Sequence, residues 1–182
     1  MNWLNSILIL LAALIAVFWQ TAFHGLHRLL GAQIDLLPAL MVYASLSAGF
    51  STVALLAVCG GLWFDSLSAN PLGVSVLPLL IVGVSLYSTR DLILRSQFLA
   101  RFILGLFASI AVPAFTLIFL LTTSRQPLFG WGTLWQFVVM SLAGGIATPF
   151  IFEVFDWLHH LLGPVRVSET SFRSDREIRR GR

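Results

Sequence analysis

The sequence predicts an all-α protein, a bundle of helices that crosses a membrane several times. Hydrophobic residues make up 58% of the chain and charged residues only 10%, whereas about a quarter of the residues in soluble domains are charged. Several uncharged runs reach the ~20 residues that a helix needs to cross a hydrocarbon core. We expect a polytopic bundle of six spans over residues 1–164, with five spans as the alternative, and a basic cytoplasmic tail over residues 165–182.

The first span is predicted from about Trp3 to Phe23, and His24, His27 and Arg28 follow it. No basic residue precedes this apolar run, and it lacks a cleavage site of small residues. We therefore interpret it as an uncleaved span rather than a signal peptide.

The uncharged block 36–64 decides between six and five spans. A single helix of this length would measure about 44 Å, which is longer than the ~30 Å hydrocarbon core. Small and polar residues from Ser45 to Thr52 favour a tight turn at the middle of the block. We predict two short helices here, about 36–48 and 51–67.

Three further spans are predicted in the second half of the chain. The fourth begins at Asn70-Pro71, an N-cap residue followed by proline at the first helical position, and ends near Ser88. The fifth covers about 99–121 and the sixth about 133–161. Each contains a proline that should kink its helix: Pro78, Pro113 and Pro149.

Arginine predicts the orientation, because the chain has no lysine. Nine of the eleven arginines lie around the loop between spans four and five or in the tail: Arg90, Arg95, Arg101, Arg166, Arg173, Arg176, Arg179, Arg180 and Arg182. Cytoplasmic loops carry such an excess, so we expect the C-terminus, and with six spans also the N-terminus, in the cytoplasm. Asp65 then lies toward the outer face with either number of spans.

Asp65 is the only charged residue between Asp35 and Arg90, and a charge within a membrane costs several kcal/mol. In one interpretation it forms a polar corner, in which the carboxylate accepts backbone N–H bonds from the turn that follows, helped by Ser66 and Ser68. In the other it belongs to a buried pocket that receives a partner's basic side chain or a polar ligand. Ion transport is disfavoured because spans three to five hold no second acidic residue.

Small residues spaced four apart predict close contacts between helices. The pairs are Ala12/Ala16, Ser45/Gly49, Ala57/Gly61, Gly105/Ser109, Ser141/Gly145 and Gly144/Thr148. Packing within the bundle is the main interpretation. An intermolecular face, and with it a homodimer, is the alternative, for which Gly60-Gly61 and Gly144-Gly145 are the best candidates.

The sequence holds no motif for catalysis: no nucleophile elbow, zinc-protease helix, cysteine pair or phosphate loop. Cys59 is the single cysteine. Acidic residues and histidines share the inner end of the last span, where we expect them to pair with arginines rather than bind a metal: Glu153, Asp156, His159 and His160. We expect no enzyme activity, no cofactor, no metal and no nucleic-acid partner.

Arginines on the inner side are candidates for contact with anionic phospholipid or with a cytosolic partner: Arg90, Arg95, Arg101, Arg176, Arg179 and Arg180. Each basic residue near anionic lipid contributes about 1 kcal/mol. The tail contains few apolar residues, and a segment of that composition cannot form a core.

The segment around Asp65 resembles the rod shape-determining protein MreD family. The resemblance rests on Gly61, Asp65, Ser68, Pro71, Leu72 and Gly73, with Asn70 in the same motif, on Asp35-Leu36-Leu37 before the second span, and on Val82-Gly83. Its specific part covers about residues 35–85.

The resemblance implies a non-catalytic integral membrane subunit of the bacterial cell-wall elongation machinery, located in the inner (plasma) membrane. Its partners would be the bitopic protein MreC and, through it, the MreB filament, the RodA glycosyltransferase and the transpeptidase partner of RodA. That family is similar in fold to the six-helix substrate-binding subunits of energy-coupling-factor transporters. A small-molecule (vitamin-type) substrate-binding subunit is therefore the alternative function.

Overall fold

A computed structural model of the chain describes residues 2–22, 35–68, 71–90, 98–122 and 131–162. These residues form six helices and no strand, which confirms the predicted all-α class. The helices are α1 (Asn2–Ala22), α2 (Leu37–Ser47), α3 (Phe50–Leu67), α4 (Val76–Thr89), α5 (Phe98–Thr122) and α6 (Trp131–Leu162).

Four of the described helices, α1, α3, α5 and α6, are long and apolar enough to cross a membrane. The lengths and the composition of these helices are those of a multi-pass membrane protein. The other two helices are shorter: α2 was predicted to be short, whereas α4, with 14 residues, is shorter than the span predicted from Asn70-Pro71 to Ser88. With 11 residues, α2 measures about 16 Å, roughly half of a hydrocarbon core.

Helix α2 lies at the centre of the bundle, where it contacts each of the other five helices. Every residue from Leu37 to Leu46 is buried, because this segment is apolar or small on all sides and presents no polar face to water. Its serine is satisfied internally: the Ser45 hydroxyl donates to the carbonyl of Met41 at 2.7 Å and lies 3.1 Å from that of Gly83 in α4.

The break between α2 and α3 falls at Ala48-Gly49, which confirms two helices in place of one. The Ala48 N–H closes α2 on the Ala44 carbonyl at 2.9 Å, and Gly49 is extended, with φ −82° and ψ 162°. The Gly49 carbonyl then accepts the N–H groups of Thr52 and Val53 and so begins α3. A single helix across residues 36–64 is therefore wrong.

The predicted start of α4 at Asn70-Pro71 is also wrong. Residues 72–75 form a turn and the helix begins at Val76, because Asp65 holds the turn, as described below. Pro78 consequently lies in the first helical turn, where its missing N–H costs no intrahelical bond, so no kink is needed there. Pro113 and Pro149 lie inside α5 and α6 as expected.

Close packing of α5 against α6 depends on glycine. A methyl group on Gly105 would collide with Thr148, and one on Gly144 would collide with the side chain of Ser109. Gly145 faces the ring of Phe102. Because these glycines are buried within one chain, Gly144-Gly145 is a packing site inside the bundle and not the intermolecular face considered as an alternative.

Of the other predicted packing residues, Gly60 and Gly61 also pack inside the chain, whereas Gly49 does not pack against another helix. Gly60 contacts Leu37, and a methyl group on Gly61 would lie 2.9 Å from the Cα atom of Val76. Both glycines are buried inside the chain, so this pair is not an intermolecular face either. Gly49 has no atom within 4 Å of its missing side chain, which makes it part of the helix break and not a packing position.

Candidate functional site

The carboxylate of Asp65 is the centre of a corner between α3 and α4. Its side chain is 1% exposed. One oxygen, Oδ2, accepts the backbone N–H groups of Gly73 at 2.8 Å and of Ser75 at 3.1 Å, and Oδ1 accepts the Ser75 hydroxyl at 2.5 Å. Three donors from one short turn thus converge on a single buried carboxylate, which offsets the cost of removing it from water.

Two glycines allow the chain to make this corner. Gly73 has φ +90°, a left-handed conformation that is costly for any residue with a Cβ atom, and its N–H is one of the donors to Asp65. Gly61 lies one turn before Asp65 in α3 and lets the backbone of Val76 approach closely. Both glycines belong to the sequence motif around Asp65.

The bonds match the polar-corner interpretation of Asp65, but the helper residues differ from those predicted. The Ser66 hydroxyl donates to the Trp63 carbonyl, and the Ser68 hydroxyl lies 3.5 Å from the backbone carbonyl of Asp65. Neither is bonded to the carboxylate in the described contacts. Ser75, which the sequence analysis missed, supplies two of the three donors.

A sequence signal for Ser75 did exist. It immediately precedes an apolar helix whose third residue is Pro78, and serine is a favoured residue at the start of a helix. Its hydroxyl makes no cap bond to its own helix and is bonded to Asp65 instead. Among the remaining motif residues, Pro71 accepts the N–H of Val74 at 3.3 Å and Leu72 is exposed, while Asn70 lies outside the described residues.

A cavity of about 250 Å³ adjoins the corner. It lies between the start of α2, the end of α3, the 71–75 turn, the start of α4, the second half of α5 and the first part of α6. Its polar side chains come from Asp35, Ser75, Thr116 and Gln136. The remaining wall is apolar: Leu37, Phe64, Leu79, Val112, Pro113, Leu117, Leu120, Phe137 and Met140. Ser75 therefore joins the Asp65 corner to the cavity.

Asp35 precedes α2 and is 6% exposed. Its Oδ1 atom accepts the N–H of Leu37 at 2.9 Å, which satisfies one of the free amides at the start of the helix. Burial raises the pKa of Asp35 to about 6, and the N–H of Leu37 opposes that rise. The amide of Gln20 is close enough to Asp35 to oppose it weakly as well, although neither of its polar atoms makes a hydrogen bond with a described residue.

Aromatic contacts mark the other end of the bundle. The Tyr43 hydroxyl lies 3.4 Å from Nε2 of His159, and the guanidinium groups of Arg90 and Arg101 lie over the rings of Tyr87 and Phe152 at 4.3 and 4.4 Å. Within the described helices, no three His, Cys, Asp or Glu side chains form a group that could hold a metal. The other predicted basic residues fall outside the described ranges: Arg95, Arg176, Arg179 and Arg180.

The Asp65 corner precedes α4 and Arg90 follows it, so the carboxylate and the arginine lie at opposite ends of one helix. Compared with family models, with curated proteins and with solved structures, the chain gives no match.

Proposed function

We propose that this chain is a non-catalytic scaffold subunit of the bacterial cell-wall elongation machinery, embedded in the inner membrane and assembled with an MreC-like bitopic protein. RodA and its transpeptidase partner would join through that assembly, and MreB indirectly. The proposal comes from the motif around Asp65. The C-terminus would be cytoplasmic, on the arginine-rich side, and the Asp65 corner would lie toward the outer face.

One structural observation supports this reading of the motif. Gly61, Asp65 and Gly73 all make their contacts inside the chain. Gly61 allows the close approach of the neighbouring backbone, Asp65 accepts hydrogen bonds, and Gly73 donates one of them from the turn. A carboxylate that accepts three internal bonds is suited to fixing the angle between two helices. A rigid arrangement of helices is what a scaffold has to offer a partner, whereas a catalytic acid or base needs a proton that its substrate can reach.

The proposal is tested in the native host and in detergent. Deleting the gene should convert rod-shaped cells into round ones, and the tagged chain should co-purify with the MreC-like protein. Asp65→Asn should reduce the yield of that complex, whereas Asp156→Asn, at an exposed carboxylate of α6, should not. Unchanged cell shape after deletion, with complex formation at background level, would contradict the scaffold function.

The cavity beside the corner favours a second candidate, the substrate-binding subunit of a small-molecule transporter. Ligand sites are concave and mostly apolar, with a few polar groups that fix the orientation of the ligand, and this cavity has that character. Uptake assays separate the two functions. Loss of uptake of a vitamin-type solute in a deletion strain that keeps its shape would favour the transporter subunit.

A further inference from the structure

The cavity near Asp35 has a chemical property that its size alone does not reveal: the hydrogen atoms of its polar groups are largely engaged elsewhere. The Ser75 hydroxyl donates its proton to Asp65. The Thr116 hydroxyl donates to the carbonyl of Val112 at 2.9 Å. A hydroxyl has one hydrogen and two lone pairs, so both of these groups can only accept a hydrogen bond from a molecule in the cavity.

Asp35 adds a third acceptor. An ionised carboxylate accepts at about four sites, and the N–H of Leu37 occupies one of them. Pro113, which also lines the cavity, has no backbone N–H to offer. Gln136 is the lining side chain that still carries a donor. It lies at the exposed edge of the cavity, where its amide nitrogen is 3.9 Å from the sulfur of Met140.

The charge of the cavity also favours a ligand that donates hydrogen bonds. Among the described residues that line it, Asp35 is the one ionisable side chain and none is basic. Burial without a compensating charge raises the pKa of Asp35 to about 6, which means that the carboxylate is poorly stabilised by its own protein. Asp65 does not line the cavity; it lies behind Ser75 and adds no positive charge.

We propose that this cavity binds a primary ammonium group carried on a small apolar body. An ammonium supplies three donors and no acceptor, which complements the acceptors of Asp35, Ser75 and Thr116, and its positive charge balances the carboxylate. The apolar body would pack against Leu79, Leu117 and the other apolar side chains of the wall. A volume of about 250 Å³ is below the usual range of ~300–1,000 Å³ for ligand sites, so the body is small.

Direct binding to the purified full chain in detergent tests this proposal with three related probes. The probes are 2-phenylethylamine, the neutral 2-phenylethanol, and the trimethylated amine, which keeps the charge but has no N–H donor. The primary amine should bind about 10- to 100-fold more tightly than either analogue, the range expected from charge-assisted hydrogen bonds. Equal binding of the three probes, or no binding of the amine, would overturn the proposal.

Two variants locate the binding. Asp35→Asn should remove the preference for the amine over the alcohol, whereas Asp156→Asn should preserve it. If Asp35→Asn does not fold, Thr116→Val serves in its place, because it removes one acceptor at nearly constant side-chain volume and should weaken amine binding several-fold. An undiminished preference for the amine in a folded Asp35→Asn or Thr116→Val protein contradicts the site.

A lipid headgroup and a free amine share this chemistry, and competition distinguishes them. If nanodiscs that contain phosphatidylethanolamine block phenylethylamine binding and phosphatidylcholine nanodiscs do not, the natural ligand is a lipid amine. If neither blocks binding, the ligand is a free amine. The inference does not depend on the scaffold function, because amine binding is measured on the chain alone and complex formation with an MreC-like partner is measured separately.

Discussion

The Ser75 hydroxyl donates to Oδ1 of Asp65 at 2.5 Å across ten residues of chain. This bond joins the turn before α4 to the last turn of α3, so it fixes how two helices meet. Both groups are buried, and a hydrogen bond to a charged group in such a setting is worth about 1.5–3 kcal/mol. The same bond also orients Ser75 toward the cavity as an acceptor.

Replacing Ser75 by alanine should therefore lower the free energy of unfolding by about 1–3 kcal/mol, because Asp65 loses its hydroxyl donor while remaining buried. Thermal unfolding in detergent micelles measures the change. Ser85→Ala, within α4, is the matched control. The Ser85 hydroxyl is exposed and donates only to the Ile81 carbonyl, so its loss should cost no more than about 0.5 kcal/mol. Equal effects of the two substitutions would show that the bond to Asp65 contributes nothing special.

Gly73 is the second element of the corner that can be tested. Alanine at φ +90° is strained, and Gly73→Ala should destabilise the protein by about 1–2 kcal/mol. No atom lies within 4 Å of the missing side chain, so the expected cost comes from the backbone and not from a collision. Gly73→Asn should be milder, since asparagine tolerates left-handed conformations. A greater loss with asparagine than with alanine would point to crowding instead.

The parts of this protein that follow from hydrophobic patterning and helix-breaking residues could be predicted from the sequence. The length of the block 36–64 against the thickness of a membrane, together with its small polar centre, was enough to place the break near Gly49. The apolar runs likewise predicted α5 and α6 to within two residues at each end. These features are local, and local composition determines them.

The missed features depend on contacts between distant residues. Asn70-Pro71 carries a strong local signal for a helix start, yet the chain begins α4 at Val76 because the intervening turn binds Asp65. The cavity was missed for the same reason. Asp35 and Thr116 are separated by some eighty residues of sequence, and only the packing of α5 beside α2 brings them to one wall.

Helix packing through Gly144 supplies a third prediction. Gly144→Ala places a methyl group against the side chain of Ser109 in α5, and overpacking of this kind costs about 1–3 kcal/mol. Gly132→Ala, near the exposed start of the same helix, meets no atom within 4 Å and should be neutral or slightly stabilising, since alanine is the better helix former. The melting temperatures of the two variants in detergent provide the comparison.

A double-variant cycle shows whether the collision with Ser109 is the cause. Gly144→Ala should cost clearly less in a Ser109→Gly background than in the native one, because the group that it strikes has been removed. The Ser109 hydroxyl has no hydrogen-bond partner among the described residues, so its removal breaks no known bond. Additive effects of the two substitutions would place the strain elsewhere in the contact between α5 and α6.

The last prediction concerns pH. The pKa of Asp35 is about 6 in the folded chain, against an ordinary value of 3.8. The folded state therefore binds this proton more tightly than the unfolded state, and the free energy of unfolding should fall as the pH rises from about 4 to about 6. The loss should level off above pH 6 and amount to at most about 3 kcal/mol.

Asp35→Asn isolates this contribution, because an amide does not ionise in this range. Thermal unfolding of both proteins is compared between pH 4.5 and 7.5. The native chain should lose stability relative to the variant as the pH rises, while Asp156→Asn, at an exposed carboxylate, should keep the native slope. Parallel curves for the native chain and Asp35→Asn would mean that the carboxyl of Asp35 titrates alike in the folded and unfolded states, and that burial does not raise its pKa.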